Sequence, residues 1–256
     1  MSEKGFFDGY RQEPVSIRGV PGKAPMFFRE LNMMGAVFTA PRWRARLALP
    51  KSGYRPLIVP PGLGLIAVHC MEYKDSDIGP YNEVAVSIAL RRGWLPLMSA
   101  YQAARSLSRS VFHAYVKSLP VTTEVALHGG IDFFNYPKYL ADISFRETAG
   151  HRICTLRDKK TTELIMEFEG RRLACWSCAA AEDNLLTLYT YPEIGGKVRR
   201  AKLLINQRER GDAFFRGASL RLGSHPSAEA FRGLGLPVQY VYAPRCQGVL
   251  FAPEPA

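Results

Sequence analysis

Glycine and proline divide this chain into short segments, and this division limits the folds it can adopt more than any other feature. Both residues interrupt regular structure and mark turns. The segments between them are mostly short runs typical of β-strands, rich in β-branched and aromatic residues. The interruptions lie at GVPGKAP (19–25), VPPGLG (59–64), IGPY (78–81), LHGG (127–130) and IGGK (194–197). The sequence therefore predicts an α+β fold that is mainly β.

Several runs carry clear strand patterns. GLIAVHCMEY (64–73) and NEVAVSIAL (82–90) are typical of strands with a buried face. The segment 151–170 predicts a hairpin whose polar turn begins at Asp158. Further strands are predicted at NLLTLYTY (184–191) and VQYVYA (238–243).

Helical patterns are few. The one long pattern is SAYQAARSLSRSVFHAYVKSL (99–119), in which apolar residues recur at spacings of three and four. A short helix is predicted near residue 227, with Ser227 as its N-cap. No linker divides the chain, so we expect one domain over residues 1–256, with an added helical segment at about 99–119.

Charge and hydropathy limit the classes of function. No apolar run approaches the roughly 18 residues of a membrane span, and the polar N-terminus MSEKGFFDGYRQEP does not resemble a signal peptide. We therefore expect no membrane contact and a cytoplasmic location. The net charge is +11, and the basic residues cluster at 41–55 and 197–216, mixed with aromatic residues. Such clusters are either solvated faces or a binding surface for an anionic ligand or nucleic acid.

The cysteines do not indicate a disulfide framework, because their number, five, is odd and the chain is long. Cys175 and Cys178 form a CxxC pair, but no second pair lies at the spacing of a zinc site. We expect a structural role for them, and no metal site.

One lysine stands out within FFNYPKYLADI (133–143), an apolar and aromatic run that surrounds Lys138. In one interpretation its stem is buried and its ammonium reaches water or pairs with Asp132 or Asp142. In the other, loss of hydration keeps the amine neutral, and a neutral amine is a nucleophile that forms Schiff bases with ketones.

A resemblance favours the second interpretation. The segment GGIDFFNYPKYLADISF (129–145) resembles the active-site segment of the acetoacetate decarboxylase family, where an aromatic-Pro-Lys stretch precedes a hydrophobic strand. MEYKDSDIGPYNEV (71–84) is similar to the family's turn ending in Tyr-x-Glu. ASLRLGSHPSAEAF (218–231) is similar to its late Leu-x-Leu-x-x-His segment.

The resemblance implies roles for individual residues. Lys138 corresponds to the Schiff-base lysine, and Glu83 to a pocket glutamate that handles protons beside it. Glu124 and His225 match positions for which we expect structural roles. The residues predicted to contact substrate are Arg29, Asp132, Phe134, Asn135, Tyr136 and Tyr139.

The chain also departs from the family pattern. Tyr139 stands where well-known members have a second lysine, and Val68 stands near the position of a second pocket glutamate. Ile131 replaces an arginine, and Asp132 a glutamate. These departures affect the choice of substrate more than the type of chemistry. The many aromatic residues near the site favour a substrate larger than acetoacetate.

The resemblance implies a cone-shaped closed antiparallel β-barrel with flanking helices, no cofactor, and a homo-oligomer. The implied function is decarboxylation of a β-keto acid through a lysine Schiff base. A first alternative is a Schiff-base aldolase-dehydratase acting on α-keto acids such as pyruvate. A second is a non-catalytic basic β-barrel that binds an anionic ligand or nucleic acid, although we do not expect nucleic acid to be the partner.

Overall fold

The computed structural model describes residues 5–50, 53–91, 99–177 and 184–256. Among these residues no helix is long and apolar enough to cross a membrane. The helices are α1 (Arg42–Leu47), α2 (Ser99–Arg109), α3 (Glu124–Phe134) and a 3₁₀ helix (Pro226–Phe231). The strands are β1 (Glu13–Ile17), β2 (Val20–Ala24), β3 (Met26–Pro41), β4 (Ile58–Val59), β5 (Leu63–Ser76), β6 (Tyr81–Ala89), β7 (Val111–Val121), β8 (Lys138–Glu147), β9 (His151–Asp158), β10 (Leu164–Arg171), β11 (Trp176–Ser177), β12 (Leu185–Thr190), β13 (Glu193–Ile194), β14 (Lys197–Phe214), β15 (Ala218–Leu222), β16 (Pro237–Leu250) and β17 (Glu254–Pro255).

Seven strands form a closed barrel, which confirms the predicted mainly β architecture. Around the barrel the order is β14, β16, β3, β5, β6, β7 and β12, and β12 pairs with β14 to close the circle. Every neighbouring pair is antiparallel except β7 and β12, which run parallel over four residue pairs. Closure leaves these strands no free edge along the paired residues.

A second, antiparallel sheet of β8, β9, β10 and β15 continues from β7. Strand β8 belongs to both parts. Its first residues, Lys138–Leu140, pair in parallel with Leu119–Val121 of β7, and Ala141–Glu147 then pair with β9. The lysine is therefore at the point where the chain leaves the barrel wall.

The main core lies between the barrel and this second sheet. Alternate residues of β5, such as Val68 and Cys70, pack there in one cluster with Leu156 and Phe168 of the second sheet. Because side chains alternate along a strand, the intervening residues of β5 face the barrel lumen.

The hairpin predicted over 151–170 is confirmed as β9 and β10. Its turn is held by the Asp158 carboxylate, which accepts hydrogen bonds from the backbone N–H groups of Lys160 and Thr161 at 2.9 and 2.8 Å.

Two helix predictions were wrong in detail. The pattern over 99–119 is not one helix: α2 ends at Arg109, Ser110 adopts a left-handed conformation, and β7 follows. The segment from Val111 onward contains β-branched and aromatic residues, and its pairing with three strands outweighs the helical spacing. Near residue 227 the cap is His225, whose Nδ1 accepts the Ser227 N–H at 3.2 Å.

The basic segments and the CxxC pair lie in ordinary structural positions where they are described. Segment 41–55 forms α1 and a connection, with residues 51–52 outside the described ranges, and segment 197–216 is mostly the barrel strand β14. Cys178 is also outside the described ranges. Burial raises the pKa of the half-buried Cys175 thiol.

Candidate active site

Lys138 is held in place by the connection between α3 and β8. The helix ends at Asn135, which adopts the left-handed conformation that asparagine tolerates, with φ of 50°. The side-chain amide of Asn135 donates to the Glu193 carbonyl at 2.7 Å. Pro137 accepts the Leu119 N–H at 3.2 Å through its carbonyl. The chain therefore enters β8 in a fixed register that directs Lys138 into the barrel.

Lys138 and Glu83 form a buried ion pair. Nζ of Lys138 lies 2.7 Å from Oε2 of Glu83, and the side chains are only 7% and 8% exposed. Strand β7 separates the two residues in the sheet, so the lysine reaches across it toward β6. Lysine and glutamate are almost never buried unless paired, which makes this contact a candidate reactive pair.

Aromatic side chains enclose the pair. The Tyr73 hydroxyl donates to Oε1 of Glu83 at 3.4 Å, and the Tyr81 ring centroid lies 5.8 Å from the lysine Nζ. Burial, with the nearby Glu83 charge, raises the pKa of both tyrosine hydroxyls well above the usual value. Both hydroxyls therefore remain protonated, which lets Tyr73 donate to Glu83.

These residues line a cavity of about 110 Å³ inside the barrel. Phe134 and Tyr136 also line it, and their rings stack with centroids 5.1 Å apart. The Tyr136 hydroxyl is 2.5 Å from Oγ1 of Thr190 on β12. The structure thus places four of the predicted site residues together: Glu83, Phe134, Tyr136 and Lys138.

Two charged residues predicted to contact substrate lie elsewhere. Arg29 pairs with Asp77 at 2.5 Å and Asp75 at 3.6 Å, which raises its pKa, and it does not line the cavity. Asp132 pairs with Arg18 at 2.9 Å on the outer face of α3, and the hydrogen bond from Arg18 lowers the pKa of the carboxyl. Both carboxylate–guanidinium contacts are partly exposed and hold surface segments together.

Two neighbours of the lysine also point away from the cavity. The exposed Asn135 caps the C-terminal end of α3, and its side chain is held by the hydrogen bond to the Glu193 carbonyl. Tyr139 follows Lys138 in the strand, so its side chain falls on the opposite face, where it packs against the core between the two sheets. The acidic partners suggested for the lysine are occupied as well, since Asp142 pairs with Lys159 at 2.6 Å.

Four further residues line the cavity and were not among the predicted site residues: His69, Tyr73, Tyr81 and Ser87. The alternation of side chains along a strand could have indicated them. Tyr81, Glu83 and Ser87 are separated by even numbers of residues on β6, so they share a face. Burial lowers the pKa of His69 to about 4, which leaves its imidazole uncharged near neutral pH. Among the described residues no group of three or more histidine, cysteine, aspartate or glutamate side chains could hold a metal ion.

The chain matches a known protein family. The profile of the family acetoacetate decarboxylase (ADC) matches residues 21–245. A search of curated protein sequences found no significant match.

Among solved structures, an acetoacetate decarboxylase is 16% identical, with a TM-score of 0.60 over 90% of this chain and 87% of that one. The acetoacetate decarboxylase of Legionella pneumophila subsp. pneumophila str. Philadelphia 1 is 12% identical, with a TM-score of 0.61 over 90% and 86%. The enduracididine biosynthesis enzyme MppR, complexed with pyruvate, is 12% identical, with a TM-score of 0.58 over 90% and 88%. At these identities the likeness establishes the fold, and the family match over most of the sequence establishes that the chain belongs to the acetoacetate decarboxylase family.

Proposed function

We propose that this protein is a lysine Schiff-base enzyme that decarboxylates a β-keto acid to a ketone and CO₂. The observation that carries the proposal is the buried contact of 2.7 Å between Lys138 Nζ and Glu83 Oε2 inside an aromatic cavity. A primary amine beside a proton acceptor, shielded from water, is the arrangement that imine formation requires.

The pair accounts for the first steps. Glu83 accepts a proton from the Lys138 ammonium, and the neutral amine attacks the ketone carbon of the substrate. The resulting carbinolamine loses water, with Glu83 returning the proton to the leaving hydroxyl, and an iminium forms.

The iminium then acts as the electron sink. The bond between the α-carbon and the carboxylate breaks, its electron pair moves toward the iminium nitrogen, and CO₂ leaves an enamine. Protonation of the enamine carbon restores an iminium, and water hydrolyses it to the ketone and the free lysine. Glu83 is the group nearest to Nζ for these proton transfers.

The charge distribution of the cavity favours decarboxylation. Of the described residues that line it, Lys138 is the only lysine or arginine, and its charge is neutralised by Glu83. A substrate carboxylate there is less solvated than in water, which favours its loss as neutral CO₂. An aldolase-dehydratase acting on pyruvate would have to hold that carboxylate throughout its cycle.

The aldolase-dehydratase remains the second candidate because one structural neighbour, MppR, is complexed with pyruvate. Both candidates use the same lysine imine. They differ in whether the substrate loses CO₂ or gains a carbon–carbon bond, so a single panel of substrates separates them.

The experiment is borohydride trapping followed by mass mapping of the modified peptide. The panel contains acetoacetate, larger β-keto acids, and pyruvate with and without an aldehyde, and CO₂ release is measured in parallel. We expect a reduced adduct on Lys138 with β-keto acids, accompanied by CO₂.

The matched controls are two lysine variants. Lys138→Ala should give no adduct, whereas Lys159→Ala, which removes an exposed lysine paired with Asp142, should trap normally. Wild-type activity in Lys138→Ala would disprove the mechanism. An adduct with pyruvate and aldehyde, without CO₂ release, would favour the second candidate. Salt-dependent nucleic-acid binding without any adduct would favour a non-catalytic binding protein.

A further inference from the structure

A second cavity of about 310 Å³ adjoins the one that contains Lys138. Five residues line both cavities: Met33, His69, Ser87, Leu186 and Leu188. The two spaces are therefore consecutive parts of the barrel lumen, separated only at the level of these side chains.

The lumen has considerable length. Glu83, which contacts the lysine, and Ala89, which lines only the second cavity, are on the same strand β6 and six residues apart. At about 3.3 Å per residue, this separation corresponds to about 20 Å along the strand. The far end is bounded by α2 and by Phe214 and Phe215, whose side chains are exposed at the surface.

The second cavity is mainly apolar. Aliphatic side chains such as Leu57, Leu65 and Val241 line it, together with alanines on several strands. The charged residue in its described lining, Arg210, is neutralised by Asp212 at 2.6 Å. At the junction, burial keeps the His69 imidazole uncharged at neutral pH.

Resting on the proposed function, we propose that the substrate is a β-keto acid with a large apolar group on the ketone carbon, and that this group extends from Lys138 past His69 into the second cavity. The product of the reaction would be a methyl ketone that carries the same apolar group, because the α-carbon becomes a methyl group when the carboxylate leaves. Burial of this remote group would supply binding energy for the reaction at the imine.

The small residues on the cavity wall allow a direct test. Ala67 of β5 and Ala89 of β6 line the second cavity and not the first. A phenylalanine at either position would fill space required by a long substrate, far from the ion pair. Because the two variants are on different strands, the test still stands if one of them fails to fold. Ala149→Phe, at an exposed position of the β8–β9 turn, is the control.

The substrates are acetoacetate, 3-oxohexanoate, 3-oxooctanoate and 3-oxodecanoate, measured with the full chain. We expect kcat/KM to rise with chain length, by up to about fourfold per added methylene. In Ala67→Phe and Ala89→Phe, the ratio of kcat/KM for 3-oxodecanoate to that for acetoacetate should fall by about tenfold or more. Ala149→Phe should keep the wild-type ratio.

The two proposals fail in different ways. If acetoacetate gives an adduct on Lys138 but kcat/KM is independent of chain length, the assignment of the second cavity is wrong and the Schiff-base function stands. The same conclusion follows if both cavity variants keep the wild-type ratio. If no member of the series gives an adduct on Lys138, the proposed function itself fails.

Discussion

Gly130 of α3 packs directly against the stem of Lys138: a Cβ atom at position 130 would lie 2.3 Å from both Cδ and Cε of the lysine. The absence of a side chain at this position lets the lysine extend to Glu83. The preceding glycine differs, because a Cβ atom at Gly129 would lie 3.3 Å from Cδ1 of Ile17.

Gly130→Ala should therefore lower the activity of the protein strongly without unfolding it. The flexible lysine stem would move aside, so that Nζ leaves Glu83, while alanine favours the helix by up to about 1 kcal/mol. We expect kcat/KM to fall on the order of 100-fold. Steady-state kinetics and thermal unfolding check both parts. Gly129→Ala should lose much less activity, and equal losses in the two variants would contradict this account.

Glu83→Gln should slow turnover far more than it weakens binding. Glutamine keeps the size of the side chain but cannot accept the ammonium proton, so a general acid–base contribution of about 100-fold or more in kcat is lost. KM should change much less. Rapid-quench trapping should show that the lysine adduct forms more slowly in the variant, so that the defect precedes CO₂ release. Unchanged kcat would remove Glu83 from the mechanism.

His69 should make folding stability depend on pH in mildly acidic solution. Burial lowers its pKa from 6.5 to about 4, so the unfolded chain binds the proton more readily between these values. Stability should therefore fall as pH decreases from 6.5 to 4, by at most about 3 kcal/mol, and this group should contribute no pH dependence above that window. Urea unfolding of wild type and His69→Gln measures the difference. Parallel pH profiles for the two proteins would show that His69 titrates normally.

Arg152 should be important for stability because it joins the second sheet to the barrel. Its side chain is 5% exposed and pairs with Glu72 of β5 and with Glu147 of β8, the latter at 3.1 Å. We expect Arg152→Ala to lower the free energy of unfolding by about 3 kcal/mol, because Glu72 loses its partner and the packing of the buried arginine side chain is lost. Denaturant unfolding checks the value. Arg221→Ala, which removes a largely exposed pair with Glu167, should change it by less than about 1 kcal/mol.

The elements that could be predicted from sequence are those whose pattern is local. The hairpin of β9 and β10 has a polar turn between two apolar runs, and both strands and turn were found as expected. Strand β7 could not be predicted because its residues also fit a helical spacing. Its partners β6, β8 and β12 decide its conformation, and they are distant in sequence.

The same limit applies to the candidate site. Resemblance identified Lys138 and Glu83, and the structure brings them together. Proximity in sequence failed for Tyr139 and Asn135, because a strand sends adjacent side chains to opposite faces and a helix end uses its asparagine for capping. His69 was missed because its role depends on which face of β5 lines the lumen, and that choice is made by packing of the second sheet.

Strand β8 pairs with the barrel through its first three residues and with the second sheet through the rest. The ion pair of Lys138 with Glu83 therefore depends on both sheets, because one sheet holds the start of β8 and the other holds the rest of the strand. On the proposed function, a chain in which only one sheet has formed would lack the buried pair and the enclosed cavity that imine formation requires. Under the same proposal, trapping of Lys138 by a keto acid would report that both sheets have formed.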